Sequence, residues 1–276
     1  MNNNKKGALG FLYNTKSGRF VLKLLTARWL SKLCGVFLSS RLSKPLIKGF
    51  VTKNGINLAD YKTNDFNCFN HCFCREIKPE LRPIDFEKNH LISPCDGLLS
   101  AYKITDDTVL PIKQSSYSVN ELLAGDEICK RYKDGICLVF RLCVDHYHRY
   151  CYVDNLTISK KRFIKGKLHT VRPIALERYP VFVQNCREYT VMETENFGTV
   201  TQIEVGAMLV GKIKNHHSEG EFSKGEEKGM FLYGGSTIVL LLEKDATNIN
   251  YEYFSATKKG IETPVKMGQN LTDFKK

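Results

Sequence analysis

Beyond Gly135 the apolar residues arrive in short runs, each broken by glycine, aspartate or asparagine. Gly135 to Leu142, Thr199 to Ile203, Ala207 to Ile213 and Thr237 to Leu242 are the clearest. Their length and β-branched content predict strands. The front of the chain has another texture. From about Arg19 to Ser40, Leu22, Leu25, Trp29, Leu33 and Val36 recur at spacings of three and four, which lines them along one helical face. The predicted class is α+β: a mostly antiparallel β core over residues 61–276, preceded by a basic, helical region over residues 1–60.

Charge bears on what this front region meets. The 276 residues carry a formal net charge of +12, which implies an anionic partner: nucleic acid, an acidic membrane or an anionic substrate. Arg19 and Lys23 lie to one side of the apolar stripe, Arg28 and Lys32 to the other. Arg41, Lys44 and Lys48 follow, and Pro45 ends or interrupts the helix. A Trp beside leucines and flanked by cations suits a helix lying in a membrane interface. The alternative is a helix packed on the body of the protein. No stretch of 18 apolar residues lacks charge, so the expectation is adsorption without spanning. Ten cysteines in a chain of this size, with no small-residue cleavage site after the first apolar run, read as reduced thiols in a cytoplasmic protein.

Three segments carry candidate chemistry. In Gly234-Gly-Ser-Thr237, the glycines permit a backbone that Cβ-bearing residues resist, and a hydroxyl following such a turn can reach the preceding carbonyl. Taken alone, a plain turn entering a strand explains it. Ser93-Pro-Cys-Asp96-Gly97 is also a turn by composition. Val144-Asp-His146-Tyr-His148-Arg149 holds two histidines, each of which, singly, reads as an ordinary surface or core residue.

Together these segments resemble the phosphatidylserine decarboxylase family, of the bacterial, pyruvoyl-dependent proenzyme type. Phe69-Asn70, Arg75 and Arg82-Pro83-Ile84 look like that family's opening segment, and Ser93-Pro-Cys-Asp96-Gly97 like its Ser-Pro-x-Asp-Gly motif. Tyr147-His148-Arg149 looks like its Asp-Tyr-His-Arg segment. Asn185, Arg187, Glu188, Val205-Gly-Ala207 and Val210-Gly211 match its later strands. Lys224-Gly-Glu-Glu-Lys-Gly229 and Gly234-Gly-Ser-Thr237 match its processing region. The ordered set spans roughly residues 60–270.

The resemblance implies a self-cleaving precursor that decarboxylates phosphatidylserine to phosphatidylethanolamine. Ser236 would attack the carbonyl of Gly235, with Asp96 and His148 as the relay that deprotonates it. β-Elimination would separate a β chain, 1–235, from an α chain, 236–276, and leave a pyruvoyl group at position 236. No added cofactor and no metal would be needed. A Schiff base between the substrate amine and this carbonyl would take up the electrons released with carbon dioxide, the role that pyridoxal phosphate fills elsewhere. The two chains would stay together as a heterodimer, open to higher assembly, on the cytoplasmic face of the cell membrane, with no nucleic-acid partner.

Two positions depart from the family pattern. Cys151 stands where many members have a second histidine, and His146 stands where the usual aspartate precedes Tyr-His-Arg. His148 is the better-matched relay base and His146 the alternative. Cys68, His71, Cys72 and Cys74 are ligand types for zinc, yet too tightly spaced for a usual structural site, so packing is the expected role. Two other functions stay open at this point. One is a non-catalytic basic module for membranes or nucleic acid, although no nucleic-acid motif is present. The other is a pyruvoyl decarboxylase of another serine-headed lipid or of an amino acid.

Overall fold

The computed structural model describes residues 8–105, 110–112, 115–170, 175, 179–207, 212–233 and 236–273. Thirteen strands are found among them: β1 Gly97–Lys103, β2 Leu110–Ile112, β3 Ser115–Tyr117, β4 Ile136–Leu142, β5 Arg149–Cys151, β6 Leu156–Ile164, β7 Arg187–Thr194, β8 Thr199–Val205, β9 Ile213–Asn215, β10 Gly220–Phe222, β11 Glu227–Phe231, β12 Ser236–Leu242 and β13 Thr263–Val265. Eight form one sheet in the order β10-β6-β7-β8-β12-β4-β1-β13, and every neighbouring pair is antiparallel. A small sheet, β5-β11-β9, lies apart from it. The α+β class with an antiparallel core is what the apolar runs predicted. Of the expected strand over residues 207–213, residues 208–211 lie outside the described residues, and Ile213 opens β9.

The apolar runs are continuous, not alternating, because the large sheet is covered on both faces. Along β4, Ile136, Leu138, Phe140 and Leu142 enter one core with Tyr150, Phe231, Tyr253 and Phe254. Cys137 and Val139 point the other way, into a second core with Tyr13, Leu22, Tyr132 and Phe182. In β12, Ile238, Leu240 and Leu242 join the first core and Val239 and Leu241 the second. A residue on a period-2 strand meets water on neither side here, so selection for apolar side chains acts at every position.

Eight helices are described: α1 Ala8–Asn14, α2 Lys16–Leu25, α3 Arg28–Leu38, α4 Leu46–Lys53, α5 Phe69–Phe73, α6 Val119–Leu122, α7 Val181–Gln184 and α8 Tyr251–Lys258. Five of them precede the first strand, as the front-loaded helical pattern predicted. The single stripe from Arg19 to Ser40 is divided, however. α2 ends at Thr26, whose hydroxyl turns back to the Leu22 carbonyl at 2.9 Å, and Ala27 is extended. The break splits the stripe by role: Leu22 is buried in the second core, whereas Trp29, Leu33 and Val36 on α3 are exposed. Pro45 directly precedes α4, where its fixed φ is compatible with a helix start. None of the described helices is long and apolar enough to cross a membrane.

Between the large and small sheets lies a polar layer. Lys228 on β11 donates to Glu204 on β8 at 2.8 Å and to Asn215 on β9 at 3.0 Å. Asn215 donates in turn to Glu188 and Glu204, and the Tyr150 hydroxyl donates to Asn215. Lys228 and Glu204 are both fully enclosed. Burial pushes the Lys228 ammonium below its ordinary range, and Glu204 pulls the other way.

Candidate active site

Register brings three of the sequence-derived segments to one end of the large sheet. β4 lies between β1 and β12, antiparallel to both. Ser236, the first residue of β12, pairs with Leu142, the last of β4. On the other flank Leu98 pairs with Arg141, which sets Asp96 just past the same end. Two ladder spacings separate the Asp96 and Ser236 backbones laterally, roughly 10 Å. The chain leaving β4 between them is Cys143 to His148. β8 ends here as well, since Thr237 pairs with Val205.

At this end several buried polar atoms have no partner. The hydroxyls of Ser236 and Thr237 and Nε2 of His148 are enclosed without a hydrogen bond. Such atoms cost about 1–3 kcal/mol each, so each calls for a reason. A nucleophile and its base awaiting a reaction is one.

His148 is fully buried, with its ring 4.0 Å from that of Phe73. Its Nδ1 lies 2.8 Å from the His146 carbonyl, which only accepts, so Nδ1 carries the proton. Nε2 is left with a bare lone pair, the form that a general base requires. Burial, reinforced by the nearby Arg75 charge, pushes its pKa down to about 3, so the ring is neutral at ordinary pH.

Asp96 is held differently from the expected relay. Nε of Arg82 donates to one carboxylate oxygen at 2.7 Å, and a terminal guanidinium nitrogen binds the other. The Met267 N–H adds a bond of 3.0 Å. The described hydrogen bonds of Asp96 thus run to Arg82 and Met267 and not to His148, whose Nδ1 is oriented by a backbone carbonyl. The Asp96 charge acts instead on His146, whose pKa burial lowers while Asp145 and Asp96 oppose the shift. His146 accepts the Cys143 N–H at Nδ1, 3.2 Å away.

Two arginines that sequence reasoning placed in the opening segment turn out to shape this corner. Arg75 is buried over the Tyr61 ring and donates to the carbonyls of Asp145, at 3.0 Å, and His146, which ties the histidine loop to the end of α5. Arg82 grips Asp96 across 14 residues of sequence. No periodic pattern signals either partnership. Arg149 bridges both oxygens of Glu227 at 3.0 Å and the Cys74 carbonyl. The Ser93–Gly97 turn is docked on the C-terminal segment through Ser93 and Gly268. Gly268 adopts φ +84, and a Cβ there would meet the Pro83 carbonyl oxygen at 2.5 Å. Beside Asp96 a cavity of about 380 Å³ is lined by Arg82, Ile84 and Met267 among others.

A family model described as phosphatidylserine decarboxylase matches residues 69–273. The chain belongs to the phosphatidylserine decarboxylase family. It is 46% identical over 268 residues to phosphatidylserine decarboxylase proenzyme 2 of Clostridium acetobutylicum, covering 97% of this chain and 92% of that one. The proenzyme of Ruminiclostridium cellulolyticum is 42% identical, with 95% and 90% covered. That of Clostridium botulinum is 39% identical, with 95% and 91% covered.

Other family-matched positions fall around the same corner. Asn185 donates to the carbonyls of His169 and Gly206, and Gly206 directly follows β8. Arg187 is buried, donating to the carbonyls of Leu122 and Glu121. Gly234, Gly235 and Val210-Gly211 lie outside the described residues. Cys72 and Cys74 are buried, and the Cys74 thiol donates to the Phe231 carbonyl. The His71 ring accepts the Asn67 N–H.

Proposed function

We propose that this chain is the precursor of a pyruvoyl-dependent enzyme that decarboxylates phosphatidylserine to phosphatidylethanolamine. The observation that carries the reading is the unpartnered, fully buried Ser236 hydroxyl at the head of the central strand, in a chain of this family. Its carbonyl neighbour in the chain is Gly235. His148 Nε2 takes the Ser236 proton, the oxygen attacks the Gly235 carbonyl carbon, and the peptide bond is exchanged for an ester. Elimination across Ser236 then frees residues 1–235 as a carboxylate-ended β chain. The enamine left on residue 236 loses ammonia to water, which yields the carbonyl. That carbonyl supplies the electron sink that an amino acid lacks when its carboxylate departs. The orphaned hydroxyl and imidazole nitrogen fit a site where this group is made.

The chain's own residues do the rest. Arg82 and the Met267 N–H hold Asp96, and Asp96 biases the histidine loop electrostatically. Arg75 holds that loop through its carbonyls. Arg82, Ile84, Lys266 and Met267 line the cavity beside Asp96, with the Arg82 guanidinium already bound by Asp96. After cutting, α chain 236–276 keeps its seat because β12 is hydrogen-bonded to β4 on one side and β8 on the other. Intact-mass measurement of the purified protein tests the reading: the result expected is a 41-residue C-terminal chain bearing a carbonyl at position 236. Full decarboxylase activity from an uncut backbone overturns it.

The relay assignment has its own test. His148→Ala is expected to abolish cutting, and His146→Ala to slow it through the loop. Asp96→Asn keeps the shape but loses the charge that Arg82 holds and that acts on His146, and is expected to slow cutting. Time-resolved denaturing gels of freshly translated chain read all three. Normal cutting in His148→Ala moves the base to His146.

We assign residues 1–60 to the membrane surface and residues 61–276 to catalysis. Asp60 is the first acidic residue, and the 59 positions before it hold 11 lysines and arginines. Phe20, Trp29, Leu33, Val36 and Leu42 are more than half exposed in the same region. Docking without spanning follows, through apolar burial plus cation attraction of about 1 kcal/mol per charge. This basic surface favours an anionic leaflet, as on the cytoplasmic side. Trp29, Leu33 and Val36 replaced together by serine are expected to weaken vesicle binding at least tenfold, since each buried apolar side chain contributes on the order of 1 kcal/mol or more. Wild-type binding should also fall with added salt. Sedimentation with phosphatidylserine-containing vesicles measures both, and equal binding by the triple variant removes α3 from the docking surface.

A further inference from the structure

The turn leaving β4 gathers three side chains with metal-ligand chemistry that the proposed reaction leaves unused in that capacity. One ligand atom each from Cys143, Asp145 and His146 lies within 4.8 Å of the other two. The turn is closed by its own backbone, because the His146 N–H donates to the Cys143 carbonyl at 3.1 Å. Ligands bound to one tetrahedral zinc at 2.0–2.3 Å stand roughly 3.3–3.8 Å apart. Coordination therefore asks for side-chain movements of about 1 Å, without refolding of the turn. Asp145 is exposed and the other two are half-buried, so an ion reaches the site from solvent.

The donor set selects the ion. Thiolate sulfur with imidazole nitrogen suits zinc and cobalt, whereas calcium and magnesium require oxygen. One thiolate and one carboxylate neutralise a divalent cation. Arg141 donates to the Cys143 sulfur at 3.3 Å. The charge of Arg141 is itself matched by Glu262, whose carboxylate it binds at 3.0 Å through Nε and again through a terminal nitrogen. Arg82 is likewise matched by Asp96. Arg141 and Arg82 are thus paired with carboxylates, whereas Arg75 meets the turn through its backbone carbonyls.

We propose that Cys143, Asp145 and His146 form an inhibitory site for a zinc-class divalent ion, with an open fourth position. Its consequence follows from adjacency. Cys143 succeeds Leu142, the strand partner of Ser236, and the His146 carbonyl orients His148. A metal that grips His146 fixes the loop carrying both histidines and slows self-cleavage. This inhibitory effect rests on reading Ser236 as the self-cleaving residue, whereas the binding itself does not.

Cobalt(II) is the probe, added to full-length wild-type protein and to C143S and D145N. The wild type is expected to bind one ion per chain with a thiolate-to-cobalt charge-transfer band that zinc removes. C143S should lose the band although the other nine cysteines remain, and D145N should bind at least tenfold more weakly. Zinc should slow cutting of fresh wild-type precursor at least tenfold and leave C143S unaffected. No band in the wild type, or the same band in C143S, overturns the site. A C143S-sensitive band with cutting indifferent to zinc keeps the site and overturns its inhibitory role. A chain that binds cobalt but never cuts itself overturns the reading of Ser236 instead.

Discussion

Ser236→Ala is expected to yield a folded, uncut chain of 276 residues with no decarboxylase activity. Stability should hold, because the lost hydroxyl makes no hydrogen bond. Removing an unsatisfied buried polar group is neutral or relieves part of a penalty of about 1–3 kcal/mol. Activity should be absent, not merely slow, since without the Ser236 oxygen no ester forms, no elimination follows and no carbonyl is made at position 236. A denaturing gel, intact mass and carbon dioxide release from phosphatidylserine vesicles measure the outcome together. A second chain on the gel, or release above background, contradicts the assignment of Ser236.

Lys228→Met is expected to have the largest effect on stability. It strips the enclosed Glu204 carboxylate of its only ammonium partner among the described residues and takes a donor from Asn215. Breaking a buried ion pair from one side costs about 3–5 kcal/mol, a large share of the 5–15 kcal/mol that holds a typical domain. Glu204→Gln added to Lys228→Met removes the stranded charge and should recover much of the loss. Urea unfolding in the Ser236→Ala background, where the chain stays single, reads these differences. A loss below about 1 kcal/mol for Lys228→Met means that water or a rearranged partner solvates Glu204, which the enclosed geometry does not predict.

Several elements were legible because their cause is local. The strands β4 and β12 announced themselves through short β-branched runs, and the helical stretch between Arg19 and Ser40 through spacings of three and four. The division between α2 and α3 was not legible. Leu25 and Trp29 continue the helical spacing across it, and only the burial of Leu22 on one side and the exposure of Trp29 on the other show two separate tasks. Lys228 reads in sequence as one more charge in a glycine-punctuated turn. Its burial depends on Glu204, 24 positions earlier on another sheet, and no periodicity connects them.

The same boundary runs through the candidate site. Asp96, His148 and Ser236 stood out as candidates because each sits in a short ordered motif, and motifs are properties of contiguous residues. What each side chain touches was decided by the fold. Register along β4 brings Asp96 and Ser236 to one end, Arg82 and the Met267 N–H take the carboxylate, and the His146 carbonyl sets the tautomer of His148. The residue types determine what chemistry is available, because that resides in side-chain atoms. Which lone pair is free and which carboxylate is already held depends on partners far away in the chain, so only the tertiary structure decides it.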